Sequence, residues 1–367
     1  MMESNNVQTP ARPSSGAGLD FIIVGQGICG TFLSHELQKA NQSFVVIDES
    51  RPFTASKVAS GIINPVTGRR IVKTWMIDDL MPFAWHAYKS FGDALGIDCI
   101  TEKPIIDCFA TPQMRLAFIE RYEKDQQFLS LPVNENDWQS YLQYDFGYGI
   151  IQPAYLADIQ LLLKKQCENL LANNQLRNEH FDATQLIVKE NSIEYKDISA
   201  ATIIFCDGVA GYNNPFFPNL PYGLNKGEVI LVAIPGLPAT HIIKKGYSLV
   251  PWGVDTFWLG STYLWEFDDD KPTKGFYQFA ENWLKQTVKM PFTIIDHMAS
   301  VRPATLERKP FVGMHPIFNN VGILNGMGTK GCSLAPFFAR QLVNHLLHNQ
   351  PIMSDANVQR FRKILSR

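Results

Sequence analysis

The chain has 367 residues, 46% of them hydrophobic and 19% charged, enough apolar mass for one large or two medium domains. Its 33 Lys and Arg nearly balance 35 Asp and Glu, and the net charge of −2 supplies no general attraction to nucleic acid or to an anionic membrane. No apolar run approaches the roughly 18 to 20 residues that cross a bilayer, so no membrane partner is expected.

Residues 1–18 are a polar mixture of Ser, Asn, Pro and Gly that reads as a disordered tail. "FIIVGQGICG" follows, with residues 21–24 expected as a buried strand and 31–40 as a helix that turns Phe32, Leu33 and Leu37 inward. "FVVID" supplies a second strand ending at Asp48. Strand, glycine turn, helix and strand together have the size of a dinucleotide-binding βαβ unit. Each glycine has a mechanical reason: Gly25 permits the tight turn, Gly27 lets backbone approach a diphosphate, and Gly30 lets the helix pack on the strand. Asp48 stands where a carboxylate accepts hydrogen bonds from an adenosine ribose, which also argues against a 2′-phosphate. The turn alone does not separate NAD from FAD.

Further along, 73–91 is aromatic-rich and helical in pattern, and 155–171 reads as another helix. Residues 186–195 alternate around Asn-Ser as a β-hairpin, and "ATIIFCDG" is a buried strand ending at Gly208. From 227 to 260 the pattern is β-rich, and 334–347 has apolar residues at helical spacing. The six cysteines include no CxxC pair, which fits a reducing, cytoplasmic setting. His345 and His348 lack a third ligand type nearby, so no metal is expected. "FDDDK" reads as a solvated loop, and no GxSxG elbow, paired-carboxylate motif or Walker loop is present.

"VASGIINP" (58–65), "IIFCDG" (203–208), "SVRPATLERKPFVG" (300–313) and "GILNGMGTKGCSLAP" (322–336) occur in that order. Together they resemble the D-amino-acid oxidase family of FAD-dependent oxidoreductases, from about residue 20 to the last helix. The resemblance implies an α/β chain, α+β overall: a Rossmann FAD-binding domain of the glutathione-reductase type under a β-sheet domain that caps the substrate. The expected division is 19–75, 150–215 and 300–367 for FAD, with 76–149 and 216–299 for substrate. Non-covalent FAD is expected, because no cysteine follows the Arg-Pro pair at the distance seen in covalent members. Ser60 and Gly61 would run along the diphosphate and flavin, with Gly208 beside the cofactor. Gly328, Thr329, Lys330 and Gly331 would set backbone N–H groups, a cation and a helix start near 333–336 against the flavin pyrimidine.

Similar oxidases grip the substrate carboxylate with the arginine matching Arg302, whose planar fork suits two parallel bonds. Tyr247 matches a tyrosine near the substrate in the capping sheet. The implied reaction oxidises the C–N bond of a small carboxylate-bearing amine (glycine, a D-amino acid or an N-alkyl amino acid) by hydride transfer to flavin N5, and oxygen or another acceptor takes the electrons. A second reading is removal of a carboxymethyl group from a modified tRNA wobble uridine, since "RPATLERKPFVG" and "GTKGCSLAP" are also similar to the oxidase domain of that bifunctional enzyme. Its basic contacts would be Arg69, Arg70, Lys244 and Lys245. Neither a methyltransferase domain nor a basic excess accompanies them, which places tRNA second. A non-catalytic flavin-binding protein is the third reading.

Overall fold

The computed structural model describes residues 18–68 and 70–366; all of the tail expected over residues 1–18 except Gly18, and also Arg69, lie outside them. Two eight-stranded sheets organise the chain. In the first, Leu19–Val24 lies between Phe44–Asp48 and Ile198–Phe205, with Leu176–Asn178 and Val321–Asn325 beyond, all running parallel. Parallel strands covered on both faces are continuous apolar runs, and Ile22, Ile23, Val46, Ile203 and Ile204 are completely buried. The 186–195 hairpin forms as expected and attaches antiparallel to Ile198–Phe205.

Helices Ile28–Lys39, Ile77–Leu95 and Gly331–His348 pack together through an aromatic knot. Phe32 meets Tyr88 and Phe91 edge-on at 5.0 and 5.4 Å, a favoured arrangement of ring quadrupoles. The Tyr88 hydroxyl donates to the Cys332 carbonyl at 3.0 Å.

Two expected helices begin later than their apolar patterns suggest. Residues 72–73 pair with 66–67 as a short hairpin, and the helix runs Ile77–Leu95, stopped by Gly96 at φ 67°. Tyr155–Ala157 is a strand, and Asp158 starts helix Ile159–Ala172 by accepting the Leu161 N–H at 2.9 Å. The last helix instead begins early, at Gly331 rather than near 333–336.

The second sheet has the order Thr293–Arg302, Asn225–Ala233, Thr256–Gly260, Tyr247–Gly253, Ile242–Lys245, Ile105–Cys108, Tyr148–Ile151 and Leu129–Ser130. Its two faces follow the period-2 rule. Val229, Val250 and Trp258 join the core shared with the first sheet, whereas Ile230, Leu249, Phe257 and Leu259 pack with helix Lys274–Thr287. The chain stretch 76–149 is therefore divided: helix Ile77–Leu95 belongs with the first sheet's helices, and strand Ile105–Cys108 with the second sheet. Strand Thr293–Arg302 ends where the two sheets meet, so its last residues face the cavity between them.

Candidate active site

A cavity of about 370 Å³ lies at the carboxyl ends of the parallel strands and is roofed by the second sheet. Its floor is the first glycine turn. Gly25 has φ 99° and donates to the Ile47 carbonyl at 2.8 Å, which locks the turn to the second strand. A Cβ on Gly30 would stand 1.8 Å from the Gly25 carbonyl oxygen, so only glycine lets the helix approach the turn this closely. Gly30 acts through packing and does not border the cavity, whereas Gly25 and Gly27 do.

Helix Ile28–Lys39 has no side-chain cap at Gly27, and its positive end opens on the cavity. The Ser56 hydroxyl accepts from Ile28 N–H at 3.0 Å and keeps its own proton for a ligand. Asp48 accepts from Gln26 N–H and Ser50 N–H, each at 2.7 Å, which fixes its carboxylate at the cavity edge. Gly208, Gly328 and Gly331 also border the cavity with bare backbone. The helix N–H groups beyond the one Ser56 accepts, an anchored carboxylate and the absence of side chains at these glycines fit an elongated dinucleotide.

Ser60 and Gly61 border the cavity as expected, but the need for glycine at 61 is structural. At φ 85°, its Cβ would stand 1.9 Å from the Ala157 carbonyl, where Ala157 N–H donates back to Gly61 at 3.0 Å. The Trp258 indole N–H donates to the Val58 carbonyl at 2.9 Å and ties this segment to the roof. At the far wall, Gly328–Lys330 makes one 3₁₀ turn into helix Gly331–His348, which again lacks a side-chain cap. Thr329 borders the cavity and Lys330 does not. Burial, Arg308 and Lys309 together hold the Lys330 ammonium below its usual pKa.

Arg302 enters from the roof. Its Nη1 donates to Asn225 Oδ1 at 2.6 Å and to the Thr262 carbonyl at 3.2 Å, and its Nη2 donates to Ser261 Oγ at 2.7 Å. Of five N–H donors, one on Nη2 and the Nε–H remain. No carboxylate among the described residues pairs with this guanidinium, and the Tyr263 ring lies 5.9 Å from it. Burial pulls its pKa below the usual arginine value, although guanidinium stays charged. A cation held only by neutral acceptors at a cavity wall has its counter-ion still to come.

Tyr247 is elsewhere. Alternation along its strand turns it with Leu249 toward helix Lys274–Thr287, where it packs on Phe279 at 4.9 Å and Phe276 at 5.9 Å. It does not border the cavity, so the substrate contact expected of it is corrected to a packing role; Trp258 holds the roof position instead. The described basic residues named for the tRNA reading do not border the cavity: Arg70 is exposed, Lys244 pairs with buried Asp107 at 2.7 Å, and Lys245 donates to the Gln143 carbonyl at 2.8 Å. Arg69 lies outside the described residues. Among the described residues no His, Cys, Asp or Glu cluster could hold a metal, and all six cysteines are free.

Asp207, which is not among the residues the sequence singles out, is half-buried beside the first glycine turn and borders the cavity. Burial raises its pKa to about 6, against the Asn214 and Asn325 amides that donate to it at 2.9 and 2.8 Å and favour its ionised form. The signal was present in "IIFCDG", an acid placed where a buried strand ends.

A family model for FAD-dependent oxidoreductases matches residues 20–345. Among solved structures, iminodiacetate oxidase from Chelativorans sp. BNC1 is 16% identical with a TM-score of 0.74, covering 92% of this chain and 98% of that one. Glycine oxidase from Bacillus cereus is 15% identical with a TM-score of 0.75, covering 91% and 96%. L-proline dehydrogenase from P. horikoshii is 13% identical with a TM-score of 0.72, covering 93% and 96%. At these identities the likeness establishes the fold.

Proposed function

The chain belongs to the FAD-dependent oxidoreductase family, and from that premise we propose that it oxidises a C–N bond in a small amine bearing a carboxylate: glycine, a D-amino acid or an N-alkyl amino acid. The observation that carries this reading is Arg302, a guanidinium at the cavity wall with neutral partners only and two N–H groups to spare. Two parallel charge-assisted bonds to a carboxylate would use both. Asn225, Ser261 and the Thr262 carbonyl hold the fork in one plane, so the substrate would be oriented at little entropic cost.

We assign FAD to the floor: Gly25 and Gly27 with the helix N-terminus for the diphosphate, Asp48 for the ribose, and Ser60, Gly61, Gly208, Gly328, Thr329 and Gly331 along the remainder. When bound, FAD supplies the acceptor for the hydride leaving the substrate α-carbon. Arg302 and the roof then hold the α-carbon and keep out bulk water. An amine bound in its neutral form needs no protein base, because its lone pair assists departure of the hydride and the resulting imine hydrolyses in water.

Anaerobic absorbance titration with glycine, sarcosine, D-amino acids and proline isomers tests the reading. Bleaching of the flavin by one of them is expected. A flavin that stays oxidised with all of them and bleaches with carboxymethylated tRNA would replace this reading with the tRNA one.

A further inference from the structure

We propose that Asp207 governs how tightly the site holds FAD, by taking up a proton when the dinucleotide binds. This rests on the assignment of FAD to the cavity floor and adds a residue and a regulation to it.

The geometry starts at Gly25, where a Cβ would stand 3.3 Å from the Asp207 Cα, so the backbone of Asp207 adjoins the turn assigned to the diphosphate, and the residue borders the same cavity. Each of its carboxyl oxygens accepts from an amide: Asn214 Nδ2 donates to Oδ2 and Asn325 Nδ2 to Oδ1. Both amides are fixed as donors, because Asn214 Oδ1 already accepts from Phe216 N–H at 2.9 Å and Asn325 Oδ1 from Gly326 N–H at 2.7 Å. No cation among the described residues pairs with Asp207. Its titratable neighbours are the Cys29 thiol on the first helix, the Cys206 thiol beside it and the Tyr222 phenol, and burial pushes all three upward, Cys29 to about 12. These groups stay neutral across the physiological range.

The Tyr222 hydroxyl is buried and has no hydrogen-bond partner, and it stands 2.6 Å from the position a Gly211 Cβ would take, which is 2.8 Å from Asp207 Oδ1. This unused hydroxyl interacts electrostatically with an acid that burial raises to a pKa of about 6. A diphosphate at the turn adds negative charge to the cavity that Asp207 borders, and like charge in a poorly screened site disfavours a second anion. Binding therefore draws a proton onto Asp207, and by linkage FAD binds more tightly as pH falls.

The test dilutes the FAD-loaded protein and reads released flavin by its fluorescence, giving Kd between about pH 5.5 and about pH 8. A one-unit rise in the Asp207 pKa on binding makes Kd roughly tenfold weaker at the alkaline end. Asp207→Asn should bind more tightly than the native protein at about pH 8 and show a flat profile. Calorimetry of the native protein in two buffers of different ionisation heat gives a second readout that needs no variant, and a fraction of a proton should be taken up near pH 6.5. A flat native profile without proton uptake, or the native slope surviving in Asp207→Asn, overturns the role of Asp207. A protein that retains no FAD at any pH overturns the cofactor assignment itself.

Discussion

The two sheets meet at one cavity and contribute to it in different ways. The first sheet contributes mostly backbone, in glycine turns, helix ends and strand termini, with Asp48 and Asp207 as side chains at its strand ends. The second contributes side chains, Arg302 and Trp258, selected by which face of a strand each occupies. A site made of backbone fails when a Cβ is added, whereas a site made of side chains fails when one is truncated.

The largest expected effect comes from adding atoms to the first sheet. Gly30→Val puts a side chain into the Gly25 carbonyl, and overpacking against rigid backbone exceeds the usual 1–3 kcal/mol. Little folded, flavin-bearing protein should be recovered, as read from the ratio of flavin to protein absorbance. Normal recovery would show that the helix can move away from the turn.

Truncation in the second sheet should spare the fold and reduce the chemistry. Arg302→Ala is expected to lower kcat/KM by roughly 10²–10³-fold, the scale for removing one partner of a buried ion pair, with flavin content unchanged. Loss of flavin in this variant would contradict the division between the sheets.

Acid sensitivity should come from the first sheet's side. His35 is buried against Phe91, ring centroids 3.7 Å apart, and its Nε2 has no partner. Burial, then Lys39 and Arg340, lower its pKa to about 3. The native state therefore favours neutral imidazole; its stability contribution is complete above pH 6.5 and is lost as pH falls toward about 3, by a few kcal/mol at most. His35→Leu should flatten that limb in urea unfolding measured across pH, and an unchanged limb would place the sensitivity elsewhere.

Two smaller changes separate the faces of the second sheet. Trp258→Phe removes the bond to Val58 and should cost about 1 kcal/mol, seen as weaker FAD retention. Tyr247→Phe should change kcat/KM by less than about twofold, because its ring packs on Phe276 and Phe279 away from the cavity. A large kinetic effect of Tyr247→Phe would restore it to the site.

The same distinction explains what could be read in the sequence. The floor was legible because glycine spacing, a buried strand and an acid after the second strand are backbone requirements that leave fixed letters. Gly25, Gly27 and Asp48 border the cavity, as do Gly208, Gly328 and Gly331, which were read through the family motifs. Arg302 was legible only through its family motif. Tyr247 was read only through its match to a family tyrosine; "YSLVPWG" is apolar at both parities, so the strand itself does not reveal which face meets the cavity. Gly61 was read for the ligand although the Ala157 strand already requires glycine there. Asp207 escaped because its significance arises from Asn214 and Asn325, brought in from distant parts of the chain.

The central claim is that Arg302 acts on a carboxylate. The measurement that tests it most directly compares kcat/KM of the native protein and Arg302→Ala on the best amino-acid substrate and on the corresponding amino amide. The account predicts a loss of roughly 10²–10³-fold with the carboxylate and little change with the neutral amide. Equal losses on both substrates would contradict it and make Arg302 a structural support of the roof.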